Sequence, residues 1–306
     1  MSRQLVFVHG RAQEHKDAVA LKAEWLQALN DGLAKSGLTL PIAESDVRFP
    51  YYGDTLYDMV AGKSADEAAA IIVRGRAADA AVDSDEEEFT RAIMREIQAR
   101  TRITQDQIDG IAGRHVAERG ALEWEWFQSF LRAVDRHVPY GSGNSIALFT
   151  HDVYQYLKNS GIRETIDNGV CAALSADVET VVVAHSLGTV VAYNLLRQQG
   201  QNLRLRCVDF ITVGSPLAIG KIRSTLRVLA PIRCPSCVRR WFNALDQRDV
   251  VALYPLDSAS FPLDPATPAI ENKTDVRNNT SNRHGISGYL DDPEVARRIH
   301  DALISP

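Results

Sequence analysis

The stretch that decides the fold runs from Val181 to Tyr193 and reads V-V-V-A-H-S-L-G-T-V-V-A-Y. Its first residues are β-branched and apolar, which favours a strand buried on both faces of a sheet. Its last residues are apolar and predict a helix that begins directly after a short turn. The sequence therefore predicts a tight strand–turn–helix unit with Ser186 at the turn.

The turn A-H-S-L-G departs from the pattern G-x-S-x-G only by Ala184 in place of the first glycine. Small residues are needed there because the serine sits on a strained bend where strand and helix backbones come close. Ala184 keeps that clearance, and Gly188 keeps the other side open. The bend lifts the Ser186 hydroxyl above the carboxyl end of the sheet. It also puts the amide of Leu187 at a helix N-terminus, where it is able to donate to a developing oxyanion.

A serine nucleophile at such a turn needs a carboxylate and a histidine, which follow it in the chain order Ser, Asp or Glu, His. Of the eight histidines only His284 and His300 come after Ser186. His300 falls inside the expected last helix, so His284 is the predicted base. Two acids remain, and Asp249 is favoured because it begins the turn beyond a strand end. Asp246 is the alternative, since it lies closer to the strand and is suited to bracing the loop.

The second oxyanion donor is expected in the loop after the first apolar strand. Gly10 permits a turn that aims the next amide inward, so the backbone N–H of Arg11 is the first choice and that of Ala12 the alternative. His9 and His185 each precede one of the two catalytic loops. We interpret both as residues that brace these loops, not as proton carriers.

Strand and helix patterns alternate at both ends of the chain, which predicts a mostly parallel α/β sheet with helices on both faces. The expected strands are Leu5–Val8, one that ends near Arg48, Thr180–Ala184, Cys207–Val213 and Arg239–Leu245. The expected helices are Lys16–Lys35, Thr189–Gln199 and a last one capped by Asp292 with Pro293 at its first position. Residues 1–61 and 144–306 are assigned to this core.

The block 62–143 holds no convincing strand and is predicted to be an inserted helical cap, or lid. Its acidic run 83–88 is interpreted as a solvated loop or helix start. An apolar helical stripe follows, and we expect Trp126, Phe127 and Phe130 to face an acyl pocket over Ser186. Tyr51 and Tyr52 are expected to close that pocket from the sheet side. The alternative is that the stripe only packs the helices together.

Taken together, these features resemble the α/β-hydrolase family, in particular bacterial lipase-like or esterase-like serine hydrolases. Three further motifs match: F-x-x-D-V-x-x-Y-L at Phe149–Leu157, V-G-S-P-L at Val213–Leu217 and W-x-N-x-x-D-x-x-D-x-V at Trp241–Val251. The acid turn 248–251 is also similar to the D-x-V-P turn of some lipases. No G-G-G loop follows His9, so the large carboxylesterases with that loop are a poorer match. The motifs leave the helical block uncovered.

The resemblance implies an α/β-hydrolase fold with a sheet of about six or seven strands, without the first two strands of the full fold. It also implies a metal-independent and cofactor-free serine hydrolase with a Ser-Asp-His triad and an acyl-enzyme. Carboxylic-ester hydrolysis is the leading hypothesis. Acyl transfer, thioester cleavage and a catalytically silent binding module on the same scaffold are the alternatives, because a fold does not choose among them.

Composition narrows the classes of partner. The chain has 306 residues and a net charge of −5, so a nucleic-acid ligand is not expected. No run of the sequence approaches the roughly 18 apolar residues of a membrane span.

The four cysteines are too few for a disulfide scaffold, and C-P-S-C at Cys234–Cys237 reads as a loop that holds two thiols. We expect a cytoplasmic protein that acts on a small acyl ester or lipid-like molecule; the oligomeric state is left open.

Overall fold

The computed structural model describes residues 3–10, 17–52, 84–116 and 123–305, without the side chains of residues 123 and 124. The strands are β1 (Gln4–Val8), β2 (Val47–Arg48), β3 (Thr180–His185), β4 (Cys207–Val213), β5 (Val238–Ala244) and β6 (Glu271–Lys273). The helices are α1 (Ala18–Ala34), α2 (Ser84–Thr101), α3 (Gln105–Ala112), α4 (Glu123–His137), α5 (Gly143–Lys158), α6 (Ser160–Cys171), α7 (Leu187–Gln199), α8 (Gly220–Leu229), α9 (Ile286–Leu290) and α10 (Pro293–Ile304). A short 3-10 turn precedes β2 at Glu44–Asp46.

The six strands form one sheet in the order β2-β1-β3-β4-β5-β6, and every neighbouring pair is parallel. The chain leaves β1 toward β2 on one side and later returns to place β3 on the other. The strand order therefore reverses between β1 and β3. In open parallel sheets the crevice beyond the carboxyl ends of the strands at such a switch point is where ligands bind.

The sheet separates two apolar cores, and alternate apolar residues of β1, β3, β4 and β5 enter different ones. Leu5 and Phe7 of β1 pack with α1, α9 and α10, whereas Val6 and Val8 pack with the helices α2 to α8. Both faces of the central strands are thus covered, which is why these strands read as continuous apolar runs. The predicted α/β sheet with helices on both faces is confirmed at this level.

Helix ends follow the expected capping chemistry. Asp17 accepts hydrogen bonds from the backbone N–H groups of Val19 and Ala20 at the start of α1. Asp292 caps α10 in the same way, and Pro293 occupies the first position of that helix, as predicted. Such caps satisfy N–H groups that have no acceptor within the helix.

Within the described part of block 62–143, α2 is attached to the core at its acidic end by a hydrogen bond to a histidine and by an ion pair to a lysine. Glu86 Oε1 lies 2.6 Å from His151 Nδ1 of α5, and Glu88 Oε1 lies 2.6 Å from Lys221 Nζ of α8. Farther along α2, Glu96 accepts a hydrogen bond from the backbone N–H of Gly220 at 2.8 Å. Residues 84–88 of the acidic run therefore form a helix start, one of the two predicted forms.

The aromatic stripe of α4 is packed inside the protein. Trp126, Phe127 and Phe130 are fully buried in the same core as α5 and one face of the sheet. The rings of Trp126 and Phe130 are stacked, with centroids 5.4 Å apart. These contacts favour the alternative in which the stripe packs helices together, and a cap above Ser186 stays a prediction.

All four cysteines are free thiols. Cys234 and Cys237 are half-buried, and burial raises the pKa of each thiol to about 11. Their thiols are consequently protonated at neutral pH, which disfavours nucleophilic roles that require the thiolate. The loop with two inert thiols is the interpretation that fits this environment.

Replacing Phe130 with alanine is expected to lower the free energy of unfolding by about 3–5 kcal/mol, because a fully buried ring is lost and a cavity is left. Denaturant unfolding monitored by circular dichroism measures this loss. Val228→Ala is the control, since Val228 is 86 % exposed. Equal stability of Phe130→Ala and the wild type would contradict this packing role.

Candidate active site

Ser186 lies at the turn that joins β3 to α7, with φ of 55° and ψ of −130°. Residues other than glycine adopt such a backbone only at a cost, and positions of this kind cluster at functional sites. The N–H of Ser186 donates to the carbonyl of Val213 at 3.3 Å, and its own carbonyl accepts from the N–H of Thr189 at 2.9 Å. The neighbouring strand β4 and the first turn of α7 therefore hold the strained serine.

Two glycines allow the backbone to come close around this turn. A Cβ atom on Gly188 would lie 2.3 Å from the carbonyl oxygen of Val8 and 2.4 Å from that of His9. A Cβ atom on Gly10 would lie 2.7 Å from the Cβ of Ser186. These distances are far below ordinary van der Waals contact. Only glycine therefore lets α7 start against the end of β1, which is the point where the strand order reverses.

His284 connects Ser186 to Asp249 through two hydrogen bonds. Its Nε2 lies 2.8 Å from Ser186 Oγ, and its Nδ1 lies 2.7 Å from Asp249 Oδ2. An ionised carboxylate only accepts, so Nδ1 of the neutral ring carries the proton and Nε2 accepts from the serine hydroxyl. The carboxylate is fully buried, whereas the His284 side chain is 14 % exposed. The three side chains form one chain of hydrogen bonds at the carboxyl edge of the sheet.

The Asp249 carboxylate is held by four donors. Oδ1 accepts from the backbone N–H groups of Val251 at 2.8 Å and Ala252 at 3.2 Å. Oδ2 accepts from His284 and from the hydroxyl of Tyr289, each at 2.7 Å. Burial alone raises the pKa of Asp249, but attraction to His284 and these hydrogen bonds outweigh burial and bring the pKa below its usual range. Asp249 is therefore ionised at neutral pH.

Asp246, the alternative acid, binds different groups. Its Oδ1 accepts from the backbone N–H of Arg248 at 2.8 Å, and its Oδ2 accepts from the guanidinium of Arg248 at 2.5 Å. Oδ2 also accepts from the backbone N–H of Asn278 at 2.8 Å. Asp246 thus braces the loops on either side of the site. The structure brings Asp249, the favoured candidate, to His284.

Asn278 shapes the loop that carries His284, and sequence reasoning missed it. Its fully buried side chain donates to the carbonyl of Gly285 at 2.8 Å and accepts from the N–H of Thr280 at 3.0 Å. A Cβ atom on Gly288 would lie 2.1 Å from its Oδ1. The run N-N-T-S-N at 278–282 was the available signal, because such side chains bind nearby backbone in turns.

His185 and His9 brace the two loops, as predicted. His185 Nε2 lies 2.7 Å from the carbonyl oxygen of His284, and burial, then the neighbouring His284, lowers the pKa of His185 to about 3. His9 Nδ1 lies 2.7 Å from the carbonyl oxygen of Gly10, and burial lowers the pKa of His9 to about 4. Both rings are therefore neutral around pH 7, and each donates to a backbone carbonyl.

Leu187 is the first residue of α7 and directly follows Ser186. The N–H groups of a first helical turn have no acceptor within the helix, so the Leu187 amide is suited to bind an anionic oxygen beside Ser186. The other predicted donors, Arg11 and Ala12, lie outside the described residues. The second half of the predicted oxyanion hole therefore stays a prediction.

A cavity of about 320 Å³ opens beside Ser186 and His284. Its apolar lining comes from helices α1 and α5 and from the segments that follow Asp249 and His284: Leu21, Trp25, Leu148, Phe149, Val251 and Ile286. Polar groups also border it, among them Glu24, Ser145 and Asn282. Sequence reasoning did not assign α1 to the pocket, because its apolar residues read as ordinary core positions.

None of the residues predicted to line an acyl pocket is among those that line this cavity, so their role at a pocket stays a prediction. Trp126, Phe127 and Phe130 belong to the core around α4, and none of them lines the described cavity. Tyr52 is buried; its backbone N–H donates to His9 Nε2 at 3.1 Å and its hydroxyl to the carbonyl of His9. The ring of Tyr51 lies 5.6 Å from that of His9. The two tyrosines therefore pack against the loop after β1, because their rings have a buried partner there.

Comparisons of the chain with protein-family models, with curated proteins and with solved structures find no match. Among the described residues, no helix has both the length and the apolar character needed to cross a membrane. Function is therefore inferred from the geometry and chemistry of the Ser186 site.

Replacement of Gly188 by alanine is expected to lower the melting temperature clearly, because the added methyl group would overlap two backbone carbonyls that have little room to move. Differential scanning calorimetry measures the shift. Gly169→Ala is the matched control: Gly169 lies in α6, and nothing lies within 4 Å of a Cβ atom built there. That control should be neutral or stabilising. A Gly188→Ala variant as stable as Gly169→Ala would show that the close approach is not needed.

Proposed function

We propose that this protein is a serine hydrolase that cleaves carboxylic esters, with Ser186 as nucleophile, His284 as base and Asp249 as the acid of the triad. The observation that carries the proposal is the unbroken hydrogen-bond chain from Asp249 through His284 to a strained serine. A serine hydroxyl is a weak nucleophile until an adjacent base takes its proton, and a buried carboxylate keeps the imidazole in the required tautomer.

The fold also supports membership of the α/β-hydrolase type. The serine follows a central parallel strand and precedes a helix, and the triad residues occur in the chain order Ser, Asp, His. The site lies at the carboxyl edge of the sheet, next to the reversal of strand order. This position is the one that α/β sheets use for ligands.

In the proposed first half-reaction, Ser186 Oγ attacks the ester carbonyl while His284 Nε2 takes the hydroxyl proton. Attack places negative charge on the former carbonyl oxygen, and the Leu187 amide donates to that oxygen at the helix N-terminus. Asp249 stabilises the positive charge that forms on His284. When the tetrahedral intermediate collapses, His284 gives its proton to the departing alkoxide, so an alcohol leaves and Ser186 carries the acyl group.

The second half-reaction repeats these roles with water. His284 takes a proton from a water molecule as its oxygen attacks the acyl carbonyl, and the same amide binds the new oxyanion. Collapse returns the proton from His284 to Ser186 Oγ and releases a carboxylic acid. Thioesters and acyl transfer to an alcohol require the same residues, and only the leaving group or the acceptor differs.

The cavity supports a short acyl or alcohol portion as the group bound next to Ser186. Its volume of about 320 Å³ lies near the lower end of the roughly 300–1,000 Å³ typical of ligand pockets. The lining by Leu21, Trp25, Leu148 and Phe149 offers apolar contact to such a group.

A panel of nitrophenyl esters with graded acyl chains is the direct measurement of this preference, and acetyl to butyryl esters are expected to react best.

A fluorophosphonate probe is expected to label the folded wild-type protein at Ser186, and Ser186→Ala should abolish the labelling. The reason is that phosphonylation needs a serine whose proton is taken by a neighbouring base. Ser145→Ala is the matched control, because Ser145 lines the same cavity. Mass spectrometry of the labelled peptide identifies the site. Folded protein without any label would favour a catalytically silent module.

Substitution of the acid gives a second expected outcome. Asp249→Asn should reduce kcat for a nitrophenyl ester by about 10⁴-fold, because the amide favours the wrong imidazole tautomer. Asp246→Asn should reduce kcat far less, since Asp246 binds Arg248 and Asn278. Steady-state kinetics of the two folded variants make the comparison. A larger loss in Asp246→Asn would assign the acid role to Asp246.

A further inference from the structure

The Tyr289 hydroxyl sits between the two acidic residues of the site. It donates to Asp249 Oδ2 at 2.7 Å and accepts from the backbone N–H of Asp246 at 3.3 Å. The side chain is fully buried in helix α9, which begins two residues after His284 and packs against α1. The hydroxyl is therefore hydrogen-bonded to the two acidic residues, and Tyr289 is not among the residues that line the described cavity.

The same oxygen of Asp249 serves both Tyr289 and His284. Oδ2 receives the Nδ1 proton of His284 and the hydroxyl proton of Tyr289, each at 2.7 Å. Two hydrogen bonds to one carboxylate oxygen divide its electron density, so each weakens the pull of that oxygen on the other proton. The strength of the Asp249–His284 contact therefore depends on a hydroxyl outside the triad.

We propose that Tyr289 is a positioning residue that fixes the Asp249 carboxylate and moderates its attraction for the proton of His284. This inference rests on the proposed hydrolase function. Tyr289 remains a donor throughout the working pH range, because burial and the charge of Asp249 raise its pKa well above the usual value. The pair of histidine and tyrosine in H-G-I-S-G-Y at 284–289 thus delivers both donors from one short segment.

Three other titratable residues near the site, His185, Asp246 and Glu24, do not restrain the Asp249 carboxylate as Tyr289 does. His185, from β3, has its ring centroid 4.7 Å from that of His284 and 6.0 Å from that of Tyr289, and it is neutral because its pKa is about 3. Asp246 is paired with Arg248 in the acid loop. Glu24 of α1 borders the cavity and is exposed to water. None of these groups donates to Asp249.

Tyr289→Phe removes the hydroxyl and keeps the buried ring. Asp249 then binds the imidazolium form of His284 more strongly, so we expect the acidic limb of the kcat/KM profile to move to higher pH by about 0.5 unit or more. We expect kcat to fall by about three- to tenfold as the carboxylate loses one restraint. KM should be unchanged, because Tyr289 is outside the described cavity lining.

Tyr193→Phe is the matched control. Tyr193 is also fully buried, and its hydroxyl donates to the carbonyl of Arg233 at 3.1 Å and accepts from the N–H of Arg233 at 3.2 Å. Its loss should cost stability in the same way without moving the pH profile. A purely structural role for Tyr289 would make the two variants alike: lower melting temperatures and an unshifted limb. That result would overturn the proposal.

A second measurement separates this inference from the proposed function. An NMR titration of the His284 imidazole in wild type, Tyr289→Phe and Tyr193→Phe follows the proton directly and needs no turnover. An upward displacement of the His284 titration in Tyr289→Phe alone supports the positioning role. Superimposable titrations in all three proteins refute it. Absence of Ser186-dependent labelling in the wild type would instead refute the hydrolase function.

Discussion

The close approach of the β3–α7 turn to the end of β1 is the constraint on which the whole site depends. Gly188 has no side chain to hold the helix away from the carbonyls of Val8 and His9. Ser186, two residues earlier, makes the sharp bend and has a positive φ of 55°. Parallel pairing of β3 with both β1 and β4 keeps this turn in place from two sides, so the strain is supported by the sheet.

Much of the fold and of the hydrogen-bonded site could be predicted because the signals are local. β-branched runs mark β3 and β4, and Asp292 with Pro293 marks the start of α10. The chain order Ser, Asp, His left few histidines and few acids to choose from. Asp249 and Asp246 could be separated because the residue after a strand end is free to turn toward the site, whereas the one nearer the strand is occupied by its own loop.

The features of the fold and site that the sequence did not predict depend on contacts between segments far apart in the chain. Hydrophobic periodicity carries no information on such contacts. The stripe of Trp126, Phe127 and Phe130 has the same pattern whether it faces a ligand or a helix, and here its helix packs against α3 and α5. β6 has three polar residues, and besides its backbone pairing with β5 it contributes a side-chain hydrogen bond between Asn272 and Asn243, so it carries no apolar signal. Tyr289 bonds Asp249 and Asp246 of another loop, and Asn278 bonds Thr280 and Gly285 within its own loop. Each of the two resembles an ordinary core or loop residue in the sequence.

The hydrogen bond from His185 to the carbonyl of His284 joins the turn that carries Ser186 to the loop that carries His284. His185 is covalently joined to Ser186, and its neutral buried ring supports the main chain of His284 at 2.7 Å. The distance between Ser186 and His284 is therefore restrained by this hydrogen bond as well as by the contacts through Asp249. In this architecture the His185 ring bears on the distance between Ser186 and His284, whereas the Asp249 carboxylate fixes the orientation of the His284 imidazole.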